Sequence, residues 1–180
     1  MSDPHGTLPL IAAASLRTRD LLLHTILPFA SITATAVTLG VLVFNHDWYF
    51  DFGYNIAPER AWSIGGATLM FVVLAVCVLA FVFQQLGRMY ASSRDFNAAL
   101  KVAAFGSMPV WCIGPFMFFM PVILIGMAAL VYCCVLYSIG AQAVLGVKTG
   151  DANEFIGIAL LLASVLLAIA GMAAVMLGLL

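Results

Sequence analysis

Between Lys101 and Lys148 the chain carries no Asp, Glu, Lys, Arg or His, and this run is roughly twice the ~20 residues that one membrane span requires. A soluble domain must present charge to water along its surface, whereas hydrocarbon penalises charge, so the run fixes the solvent before anything else. It reads as two consecutive helices in lipid. The remainder of the sequence agrees. Charged residues make up 8% and hydrophobic ones 64%, where soluble domains average about 25% and 45–50%. A formal net charge of −1 leaves no basic excess for nucleic acid.

Five apolar segments follow from the charge, Pro/Gly and aromatic boundaries: Leu21–Phe44, Trp62–Leu86, Ala98–Pro115, Pro121–Leu145 and Phe155–Leu180. The expected fold is therefore all-α, a polytopic membrane protein of five transmembrane helices. Residues 1–20 form an interfacial N-terminal segment and residues 21–180 a single transmembrane domain. Arg17, Arg19, Arg88, Arg94, Lys101 and Lys148 all fall on one side of such a bundle, and the other side holds only Arg60. The positive-inside rule then places the N terminus in the cytoplasm and Leu180 outside. At the start, Arg17 and Arg19 follow the apolar patch Leu8–Leu16 instead of preceding it, which is the reverse of a signal peptide. An amphipathic lead-in on the membrane surface fits better.

The first loop, with Trp48, Tyr49, Phe50, Phe52, Tyr54 and Trp62, reads as an interfacial aromatic belt. His46, Asp47 and Asp51 in it lack the ordered spacing of a metal site. Cys77, Cys112, Cys133 and Cys134 lie in apolar runs and read as packing residues. Pro109 removes the helical donor for the Phe105 carbonyl while Gly106 loosens the same turn, so the third span is expected to kink there. Pro115 and Pro121 bracket a link short enough to make the third and fourth spans a tight hairpin. Asp151 and Glu154 are spaced as a helix start resembling a capping box. Small residues at every fourth position, Ala30, Ala34 and Thr38 in the first span and Ala170, Ala174 and Gly178 in the fifth, mark faces where helices can approach closely.

No phosphate-binding loop, dinucleotide fingerprint, paired-His helix or serine elbow is present, and no cofactor or metal is expected. His24 sits one turn into the first span and reads as a hydrated interfacial residue. Lys101 opens the third span and is expected to snorkel to the headgroups on its long stem. Gln84, Gln85, Arg88, Tyr90, Arg94, Asp95 and Lys101 together form the main polar concentration, a cytoplasmic rim suited to headgroups or a partner protein.

The segment NAALKVAAFGSMPVWCIG supplies Ala99, Leu100, Lys101, Val102, Ala104, Phe105 and Pro109 in an A-L-K-aliphatic-x-A-aromatic-x-x-x-P pattern. Pro121 and Gly126, then Tyr137 and Gly140, follow in the fourth span, and Pro28 and Ala30 stand in the first. With five spans and a cytoplasmic N terminus, this pattern resembles the Yip domain family of Ypt/Rab-GTPase-interacting proteins, in its prokaryotic form. The resemblance implies the fold and a bacterial inner-membrane address, and no reaction. The chain lacks the Asp-Leu-Tyr-Gly-Pro motif of eukaryotic members and has Phe105 where they often have Tyr. The expected role is a non-enzymatic organiser or accessory subunit, in contact with the bilayer and with other membrane proteins or copies of itself. The alternative is a small transporter, channel or lipid-handling protein working through the kinked third and fourth spans.

Overall fold

A computed structural model describes residues 17–44, 58–90, 92, 95–113 and 122–176 of the protein. Among these the regular structure is entirely helical, and five stretches are long and apolar enough to cross a membrane: Thr18–Gly40, Glu59–Gly87, Phe96–Ile113, Ile125–Leu145 and Ala152–Ala173. The first span comprises α1 (Thr18–Leu21), a π-helical turn at Leu22–Ile26 and α2 (Leu27–Phe44); the second is α3 (Pro58–Gly87). The third is divided into α4 (Phe96–Gly106) and α5 (Met108–Ile113), the fourth is α6 (Val122–Gly140) with a π-helical end at Ala141–Leu145, and the fifth is α7 (Ala152–Met176).

Each irregularity has a local cause. Pro28 cannot donate to the carbonyl of His24 and its ring crowds that group. The preceding turn is widened, with Leu27 N–H donating to Leu22 O. At the end of the fourth span Gly146 takes φ +75°, which lets Val147 N–H reach back to Ala141 O at 3.1 Å. In the third span Pro109 has no N–H for the Phe105 carbonyl, and Val110 N–H turns to Ser107 O at 3.1 Å. The division between α4 and α5 falls at Ser107, two residues before the proline. Pro115 and Pro121, the proposed hairpin brackets, lie outside the described residues, as do His46, Asp47 and Asp51.

In lipid, helices associate through packing and hydrogen bonds because burial away from hydrocarbon gives no hydrophobic gain. The first and second spans meet where Gly65 faces Ala34 and Thr38: a Cβ at Gly65 would overlap the Thr38 Oγ1. Ala30, Ala34 and Thr38 are all buried. The third span is the central one, with half of its membrane window buried against 22% for the fifth. Its first helix packs on the second and fourth spans and on the start of the first. Ala170 is half-buried, only the helical backbone of Ala174 is described, and Gly178 lies outside the described residues.

Candidate functional site

The polar groups collect in two places, at the basic end of the bundle and in its middle. At the basic end, Asp95 precedes α4 and its carboxylate accepts Asn97 N–H at 3.1 Å, so it caps the third span. Asn97 accepts a long hydrogen bond, 3.4 Å, from the Thr18 hydroxyl at the start of the first span. Lys101 lies one turn further on the same face. Its side chain, expected to snorkel to the headgroups, is largely covered by protein, with 7% of its surface exposed. The first helix of the third span packs against the start of the first span, and no buried side-chain nitrogen or oxygen among the described residues lacks a hydrogen-bond partner.

Tyr90 follows the second span and packs edge-on against Phe155 at 5.4 Å. Burial of the phenol, a hydrogen bond to Glu154 and the charges of Glu154 and Asp151 hold its pKa above the ordinary 10.0. Asp151 stands where the sequence puts the fifth helix start, its carbonyl accepting Phe155 N–H at 2.9 Å, while Glu154 reaches across to Tyr90. Ser138 donates to Asn153 at 3.0 Å and ties the fourth and fifth spans beside them. Of the rim residues singled out in the sequence, Arg88 is exposed, Gln84 and Gln85 are half-exposed, and Arg94 lies outside the described residues.

From Tyr90 an aromatic column runs inward. Phe155 stacks on Phe83 at 5.7 Å, and Phe83 meets Tyr137 edge-on at 5.8 Å. Tyr137 ends the column at the interruption of the third span, its hydroxyl 2.6 Å from the Ser107 Oγ. Ser107 gives its single proton to Ala103 O at 2.7 Å, so Tyr137 donates and Ser107 accepts. The backbones come close here because two glycines permit it. A Cβ at Gly106 would collide with the Tyr137 ring, and one at Gly140 would stand 3.0 Å from Val102.

The two halves of the pattern that prompted the family resemblance thus touch each other. Val102, Gly106 and Ser107 from the third span meet Tyr137 and Gly140 from the fourth. Ser107 itself carried no signal beyond being a lone hydroxyl near Pro109 in an uncharged run. Its partner lies 30 residues away, and helix rotation decides the match. Phe105 and Pro109 are half-buried beside this contact.

Around it lies a cavity of about 370 Å³ to which all five spans contribute. Apolar side chains such as Val76, Trp111, Cys133 and Leu160 form most of its wall. Among the described residues no group of three or more His, Cys, Asp and Glu is placed to hold a metal.

These features define an all-helical polytopic membrane protein whose third and fourth spans are joined in the interior by the Ser107–Tyr137 pair. The Yip1 domain family model matches residues 7–176, nearly the whole chain, and the protein belongs to that family, which is not a family of enzymes. No curated protein and no solved structure matches the chain.

Proposed function

We propose that the protein is a non-enzymatic membrane protein that organises or accompanies other membrane proteins, as an accessory subunit or as a homo-oligomer. On this reading it resides in a bacterial inner membrane with the N terminus in the cytoplasm and the C terminus outside. The observation that carries the proposal is the position of the fifth span, the least buried of the five. It packs mainly on the second span and turns Leu161, Val165, Ile169 and Met172 outward, a lateral face open to another helix. Arg88, exposed at the rim beside Gln84 and Gln85, offers a second contact to headgroups or a partner.

The intramembrane hydroxyls also support a structural role. Ser31, Thr35, Thr38 and Thr68 each donate to the carbonyl four residues earlier at 2.8–2.9 Å, and Ser107 and Tyr137 bond to each other. Purification in a mild detergent tests the proposal. A defined larger assembly or homo-oligomer is expected, and replacing Leu161 and Val165 by Trp should disrupt it. A strictly monomeric particle in every mild detergent contradicts it.

A further inference from the structure

The residues that line the cavity span a common range of depth in the bundle. Counting from the basic end of each span at a rise of ~1.5 Å per residue, Leu79, Tyr137 and Leu160 lie about 12 Å in, and Thr33, Leu130 and Leu167 about 23 Å in. The hydrocarbon core is ~30 Å thick, so the cavity straddles its middle. Whatever enters it has to be available there.

The chemistry of the wall narrows the occupant. Four hydroxyl-bearing residues line the cavity, Thr33, Ser107, Tyr137 and Ser164, and the proton of each is already given to a partner. Thr33 donates to Phe29 O at 3.0 Å, Ser164 to Leu161 O at 2.8 Å, Ser107 to Ala103 O, and Tyr137 to Ser107. With those protons committed, a polar solute would find no hydroxyl donor and only a few acceptor lone pairs in an otherwise apolar wall, so most of its polar groups would go unpaired at several kcal/mol each, roughly 2–7. Hydrocarbon meets no such penalty. An apolar cavity of ~150 Å³ suffices for benzene, and this one is more than twice as large, room for a length of alkyl chain. The wall is also continuous with the lipid-facing surface: Phe71 and Leu130 line the cavity while being half exposed on the outside of the bundle, and Cys134 beside them is exposed as well.

We infer that this cavity is a binding site for an acyl chain of a bilayer phospholipid, entering laterally past Phe71, Leu130 and Cys134 and ending against the Ser107–Tyr137 pair. The chain end, being the part of a lipid that resides at mid-membrane, is the part held. The site makes the bundle a lipid-binding unit independently of any partner on its outer face.

The test is photolabelling of the full-length protein in bilayers of a phospholipid carrying a diazirine near the methyl end of one chain, with adducts mapped by peptide mass spectrometry. Adducts are expected on Val76, Cys133 and Ala163, which line the cavity and are at most 4% exposed, as well as on outward Met127, Val131 and Leu161. Adducts on the outward residues alone overturn the inference. A diazirine near the ester should lose the interior adducts, and equal interior labelling from both positions overturns it. Filling the cavity by Ala75→Leu with Ala163→Leu should abolish interior labelling and leave outward labelling intact; unchanged interior labelling overturns it. A photoreactive free fatty acid that labels the interior where the phospholipid fails also contradicts the assignment to phospholipid.

Discussion

Replacing Gly106 by Ala tests the contact on which the middle of the bundle is built. The added Cβ would collide with the Tyr137 ring, and the ring has little freedom to move. Tyr137 is 6% exposed, it is tied to Ser107 at 2.6 Å, and Phe83 packs against it edge-on. Overpacking of this kind costs about 1–3 kcal/mol. If the ring shifts and the hydroxyl pair breaks, a further ~0.6–1.7 kcal/mol is lost, the range measured for hydrogen bonds between membrane helices. Against this, Ala improves helix propensity by up to ~1 kcal/mol over Gly. The net expectation is a destabilisation of about 1–3 kcal/mol, a five- to more than hundredfold change in the unfolding constant at ~1.4 kcal/mol per decade. Reversible unfolding in mixed micelles with a denaturing detergent measures it. In a Tyr137→Leu background the ring is gone and the same substitution should be neutral or slightly stabilising, so the double-mutant cycle should show a coupling of at least ~1 kcal/mol. Equal effects of Gly106→Ala in both backgrounds would refute the packing argument.

Three further outcomes follow from the geometry. Gly146→Ala should cost ~1–2 kcal/mol, because φ +75° is left-handed backbone and the space around it is open, so conformation alone is at stake. Gly146→Asn, which tolerates that region, should recover part of the loss in the same unfolding assay, and equal costs would contradict the reasoning. Gly65→Leu should separate the first two spans by colliding with Thr38, read as loss of the folded form in detergent, whereas the neighbouring Gly66→Leu meets open space and should be tolerated. For Tyr90, the unfolded phenol ionises near 10.0 and the folded one higher. Stability therefore falls as pH rises through that window and is unaffected by this group below it. Glu154→Gln should lower the Tyr90 midpoint in a phenolate absorbance titration referenced to Tyr90→Phe, without restoring the ordinary value, since burial persists. An unchanged midpoint would show that Glu154 does not engage the phenol.

The spans were legible because charge is expensive in hydrocarbon and the sequence marks where it is allowed. Lys148 lies just beyond the fourth span and Asp95 just before the third, and at the ends that fall within the described residues the apolar segments differ from the observed helices by a few residues. In the third span the helix is divided at Ser107, two residues before Pro109, and Val110 finds its acceptor three residues back. What remained hidden depends on helix rotation and on pairing between distant segments. Lys101 has the reach to snorkel, and only the packed structure shows how much of it neighbouring residues cover. Asp95 read as one of several rim charges, although its place immediately before an apolar run is a capping signal. The meeting of Gly106 with Tyr137, and of Val102 with Gly140, requires two helix faces to be matched across a connection. Hydropathy carries no information about that match.

The most direct measurement is on topology. A pair of reporters, one active only outside the cytoplasm and one only inside it, should be fused in turn after Leu180 and within the connection at Lys148–Gly150. Five crossings with the basic end in the cytoplasm predict an external signal after Leu180 and an internal one at Lys148–Gly150. A cytoplasmic signal after Leu180, or the same signal at both positions, would contradict the five-span arrangement and everything built on its depth.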